Sequence, residues 1–90
     1  MDGSRQDLID RLNLSGKRLS KSHRRIADFI VNHYDKAVFM TAATLGEMVG
    51  VSESTVVRFA VALGYEGYPQ LQHSLQELVR HRLTAEQRFE

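Results

Sequence analysis

The sequence predicts an all-α fold, a bundle of five helices, and three observations carry that expectation. Apolar residues recur at helical spacing in five stretches, as in Leu71, Leu75 and Leu78. Capping residues and glycines punctuate the stretches where helices should start and stop. No run of alternating apolar and polar residues survives as a strand. With 90 residues the chain has the size of one small domain around a single core.

The elements follow in order. Residues 5–12 place Leu8, Ile9 and Leu12 on one side of a short amphipathic helix, which needs a surface to lie on. Asn13, Ser15 and Gly16 interrupt it, and Ser20 or Ser22 caps a second helix running to about His33, with Ile26, Phe29 and Ile30 inward. Residues 35–40 read as a connection with Val38 and Phe39 tucked inward. Thr41 caps a third, short helix carrying Leu45, Met48 and Val49, which Gly50 ends. Ser52 caps a fourth helix from Glu53 to about Leu63, and Gly64 supplies the positive φ favoured just past a helix end. Pro69 opens the fifth helix, which is expected to fray after Leu83. The expected domain is therefore residues 1–83, with polar residues 84–90 starting a linker.

Composition removes several classes of function. The chain has no cysteine, which excludes a disulfide framework and thiolate zinc sites. No apolar run approaches the roughly 20 residues of a membrane span, and the polar start lacks a signal-peptide core, so a soluble cytoplasmic protein is expected. His23, His33, His73 and His81 have no metal-ligand spacing, and the glycines form no phosphate loop. No catalytic motif is visible, so neither an enzyme nor a cofactor is expected.

Twelve basic and eleven acidic residues leave a net charge of +1, and the average says nothing about partners. The distribution says more. Between residues 11 and 25, Arg11, Lys17, Arg18, Lys21, Arg24 and Arg25 occur with no acid among them. This run reads equally as a solvated helix entry or as a phosphate-facing patch.

The most informative stretch is residues 41–64, a short helix, a turn at Gly50 and a capped second helix, which is the spacing of a helix-turn-helix. At about 100° per residue, Val56, Phe59, Ala60 and Leu63 share one face of the second helix, and Ser54, Val57, Arg58 and Val61 share the other. A DNA-reading helix presents base-contacting side chains from such a free face, close to its N-terminus. Arg58 carries a guanidinium fork that matches guanine O6 and N7, and Val57 suits a thymine methyl. Ser54 and Glu53 stand beside neighbouring bases, with Glu53 an acceptor for a cytosine amino group. Thr41, Ser52 and Thr55 offer hydroxyls, caps and a positive dipole end to phosphates.

Each residue also has a structural explanation. Thr41 and Ser52 cap helices whether or not DNA is bound. Arg58 equally suits a solvated position or a pair with Glu53 or Asp28, and Val57 and Val61 equally suit packing against the fifth helix. What favours the motif is the combination of Gly46, Gly50 four residues later and inward Val56 and Phe59 at fixed offsets. The resulting expectation is a homeodomain-like bundle with a central helix-turn-helix.

The stretches LSKSHRRIADFIVNH (19–33), FMTAATLGEMVGVSESTVVRFAVALGY (39–65) and GYPQLQ (67–72) together resemble the N-terminal domain of RpiR-type bacterial transcription regulators. The resemblance implies sequence-specific binding of double-stranded DNA. It also implies a longer parent protein with a sugar isomerase (SIS) domain that binds a phosphosugar, and so control of sugar or phosphosugar metabolism genes. Members often carry basic residues where Val61 and Ala62 stand, so this chain is expected to make fewer phosphate contacts. Ala is usual where Gly46 stands, and the glycine costs up to about 1 kcal/mol of helix propensity while allowing the two helices closer approach.

Dimerisation is expected, through Leu8, Ile9 and Leu12 or through Leu71, Leu75 and Leu78. A homodimer would set two second helices about 34 Å apart, one turn of DNA, on a pseudo-palindromic operator. The rival reading is a helix-turn-helix that contacts another protein, or only dimerises, without binding DNA. It is motivated by Val57 and Val61 on the free face.

Overall fold

The computed structural model describes residues 8, 10–12 and 19–88, with side chains through Arg80. Among the described residues it is all-helical, with six helices. The first, α1, contains residues 8 and 10–12. It is followed by α2 (Lys21–Asn32), α3 (Tyr34–Ala37), α4 (Ala42–Val49), α5 (Glu53–Ala62) and α6 (Tyr68–Arg88). The expected residues 5–7 and Ile9 of the first helix lie outside the described residues, as do Lys17 and Arg18 of the basic run.

Helix starts follow the capping chemistry. Of the two candidate serines, Ser20 is the cap of α2, and its side chain accepts from the His23 backbone N–H. α4 and α5 both end in a left-handed glycine, Gly50 at φ 89° and Gly64 at φ 97°. The backbone N–H of Val51 bonds to the Gly46 carbonyl, and that of Tyr65 to the Ala60 carbonyl. These six-to-one bonds are the Schellman closure, and they need a residue that tolerates positive φ.

The core is continuous from α1 to α6. Leu8, Ile26, Ile30, Leu45, Val56, Phe59, Leu71 and Leu75 are fully enclosed, and Leu12 packs against them. α5 sits at the centre, packed against α2, α4 and α6. No buried side-chain polar atom among the described residues lacks a hydrogen-bond partner, as expected of a well-formed interior.

Several sequence expectations are corrected here. The stretch read as a connection contains α3, one helical turn nucleated where the His33 carbonyl accepts from the Lys36 and Ala37 N–H groups. Val38 is buried as expected, whereas Phe39 is 85% exposed. The chain turns at Phe39, and only one of two adjacent side chains can face the core. Met48 is also exposed. α6 does not fray after Leu83 but continues as helix through Arg88, and it begins at Tyr68, one residue before Pro69. Leu8, Leu71, Leu75 and Leu78 are buried within the chain itself, and Leu12 is packed on the same core. The four buried leucines are therefore spent on the chain's own core, while Leu12 stays partly exposed.

Candidate nucleic-acid interface

α4, the turn and α5 form the helix-turn-helix. The turn is tight because Gly46 has no side chain: a Cβ there would lie 2.6 Å from the Val51 carbonyl oxygen and 3.3 Å from two Ser52 backbone atoms. The glycine thus admits the turn backbone against α4.

α5 divides as its periodicity requires. Val56, Phe59, Ala60 and Leu63 are buried, and Ser54, Val57, Arg58 and Val61 are exposed. Val57 is 37% and Val61 53% exposed, so neither is consumed by packing against α6. Arg58 makes no ion pair with Glu53 or Asp28, and no hydrogen bond, among the described residues. Glu53 stands exposed in the first turn of α5, where the helix dipole favours an acid.

The hydroxyls gather at two helix starts. Ser52 accepts from the Thr55 backbone N–H at 3.2 Å, and its oxygen lies 3.1 Å from Ser54 Oγ and 2.8 Å from Thr55 Oγ1. At the start of α4, Thr41 accepts from the Thr44 N–H at 3.1 Å and donates to the Thr44 hydroxyl at 3.0 Å. The predicted residues Ser52, Glu53, Ser54, Thr55, Val57 and Arg58 therefore share α5 and its cap. Thr41 belongs to the separate N-terminus of α4. Thr44 was not singled out from the sequence, although the Thr41-x-x-Thr44 spacing marks a cap and its third helical residue.

The platform behind the motif rests on two residues of the GYPQLQ stretch. Tyr68 donates its hydroxyl to the Met40 carbonyl at 2.7 Å. Gln72, one turn further along α6, donates through Nε2 to the Val38 and Met40 carbonyls at 3.0 and 3.2 Å. Together they hold the segment that leads into α4. Burial pushes the Tyr68 phenol up from its ordinary value of 10.0. His23 stacks edge-on against Phe59 at 5.7 Å, which places it at the rim of the core.

No group of His, Cys, Asp or Glu that could hold a metal occurs among the described residues, and no described helix is long and apolar enough to cross a membrane.

Comparison with known proteins agrees with this geometry. Residues 6–81 match the family described as the helix-turn-helix domain, rpiR family. The uncharacterized HTH-type transcriptional regulator YfhH of Escherichia coli K12 is 39% identical over 59 residues, covering 66% of this chain and 21% of that protein. The HTH-type transcriptional regulator HexR of Pseudomonas aeruginosa PAO1 is 31% identical over 70 residues, covering 78% of this chain and 25% of that protein. The chain thus spans about a fifth to a quarter of the length of these relatives, which are named as regulators and not as enzymes. The chain belongs to the rpiR family of helix-turn-helix domains.

Proposed function

We propose that this domain binds double-stranded DNA sequence-specifically as the reading head of a transcription regulator, with α5 in the major groove. The observation that carries the proposal is the exposed face of α5, where Ser54, Val57, Arg58 and Val61 project from a helix whose opposite face is wholly buried. Arg58 reads a guanine through its fork, Ser54 and Glu53 read adjacent base edges, and Val57 meets a thymine methyl. Thr41, Ser52 and Thr55 hold the backbone phosphates, using hydroxyls already ordered at the two helix N-termini.

The partner is a pseudo-palindromic operator bound by a homodimer whose α5 helices lie about 34 Å apart. The dimer contact uses a surface other than the buried leucines of α1 and α6. The resemblance to RpiR-type regulators supports a cytoplasmic regulator of sugar or phosphosugar genes. Its phosphosugar effector is then read by a separate domain of the longer protein.

Exposed Val57 and Val61 also favour a second reading, a protein-binding helix-turn-helix. Salt titration of duplex binding by fluorescence anisotropy separates the two. Log affinity should fall linearly with log salt, at about 0.9 per phosphate neutralised. Absence of duplex binding at low salt would favour the protein partner.

A further inference from the structure

Arg11 and Arg25 both belong to the basic run, yet both donate to backbone carbonyls at the C-terminal ends of the two motif helices. Arg25, on α2, donates from Nη2 to the Val49 carbonyl at 2.6 Å. Arg11, on α1, donates from Nη1 to the Leu63 carbonyl at 2.8 Å, and its guanidinium lies 4.4 Å over the Tyr65 ring. These contacts bridge 24 and 52 positions of sequence, so each ties a distant helix to one end of the motif.

The two sites are built alike. Each carbonyl immediately precedes a left-handed glycine, Gly50 or Gly64. A Cβ on Gly50 would stand 3.0 Å from Arg25 Nη2, and one on Gly64 would collide with Arg11 Nη1. Each glycine therefore supplies both the positive φ and the space for a guanidinium. The Schellman bonds satisfy Gly46, Ala60 and Val61, and the arginines take the later carbonyls that the helix leaves open. A cation there also meets the negative end of the helix dipole. Leu8, one turn before Arg11, is fully buried and anchors α1 in the core.

We propose that Arg11 and Arg25 are positioning residues for DNA recognition, clamping the C-terminal ends of α5 and α4 so that α1 and α2 set the angle at which α5 is presented. Their contribution to affinity comes through that geometry and not through charge on phosphates. The proposal rests on the reading of α5 as the DNA-recognition helix.

The test uses the 90-residue chain with Arg11→Gln, Arg25→Gln and the corresponding lysine variants, at a temperature where circular dichroism shows each fully folded. Amide hydrogen exchange of Gly50, Val51, Gly64 and Tyr65 is read by NMR without DNA. Duplex affinity is measured against salt on a selected operator and on random-sequence duplex. Exchange should accelerate about tenfold at Gly50 and Val51 for Arg25→Gln, and at Gly64 and Tyr65 for Arg11→Gln. Operator affinity should fall about tenfold, with random-duplex affinity and the salt slope unchanged and lysine restoring part of the loss. A salt slope reduced by about 0.9 per arginine, with both duplexes weakened equally, would make these residues phosphate ligands and overturn the proposal. Unchanged exchange would overturn the clamp, and unchanged operator affinity beside faster exchange would overturn the positioning role. A wild-type chain that binds no duplex would overturn the functional reading and the recognition role together, while the exchange data would still decide whether the clamp exists.

Discussion

The Tyr68 hydroxyl donates to the Met40 carbonyl at 2.7 Å, joining the first turn of α6 to the segment that leads into α4. Because Gln72 donates to the same carbonyl, the two side chains share one acceptor with two lone pairs. Tyr68→Phe should therefore cost only about 0.5 to 1.5 kcal/mol, since Gln72 keeps the carbonyl satisfied. Tyr68→Phe combined with Gln72→Leu should cost more than the sum of the single changes. Urea unfolding of the four proteins in the cycle checks this, and strict additivity would contradict the shared-acceptor account.

The same phenol gives a prediction for alkaline pH. Burial raises the folded-state pKa above the unfolded value of 10.0, so folded protein holds the proton more tightly than unfolded chain does. The stability this contributes is fully present below pH 10 and is lost as pH rises from there through the folded-state pKa. Wild type should lose stability above pH 10 more steeply than Tyr68→Phe, and parallel profiles would remove Tyr68 as the cause.

Gly46→Ala sets two effects against each other. Alanine gains up to about 1 kcal/mol of helix propensity. The new methyl would stand 2.6 Å from the Val51 carbonyl oxygen, and backbone on a tight turn yields at greater cost. Overpacking of this kind typically costs about 1 to 3 kcal/mol, so a net loss of stability is expected. Thermal unfolding is the measurement, and a raised Tm would contradict the close approach.

Val57 should report on thymine methyls. Replacing thymine by uracil at the contacted position of an operator should weaken wild type by about 1 kcal/mol, the scale of one buried methyl group. The same replacement should leave Val57→Ala nearly unaffected. Equal losses for both proteins would take Val57 out of the base-reading set.

Much of this architecture is legible in the sequence because its signals are local. Ser20, Thr41 and Ser52 lie within three residues of the N–H groups they cap, Gly50 and Gly64 mark their own turns, and the division of α5 follows from its period. Short α3 escapes because four residues carry no periodic signal, and its cap position, His33, makes no side-chain capping bond. Phe39 is misread because adjacent apolar residues in a turn give no indication of which one faces inward. The arginine contacts are invisible for a different reason. A guanidinium bonded to a carbonyl 24 or 52 positions away leaves no local pattern, so a run of cations reads as a patch until the fold brings the helix ends to it.

The central claim is that α5 reads DNA sequence through Arg58. Its most direct test is binding-site selection from random duplex DNA at low salt, with the 90-residue chain beside Arg58→Ala. The account predicts an enriched inverted motif with a guanine in each half-site. Arg58→Ala should lose preference at that guanine and about 1 to 3 kcal/mol of affinity. An enriched motif that Arg58→Ala retains unchanged, or no enrichment by the wild-type chain, would contradict it.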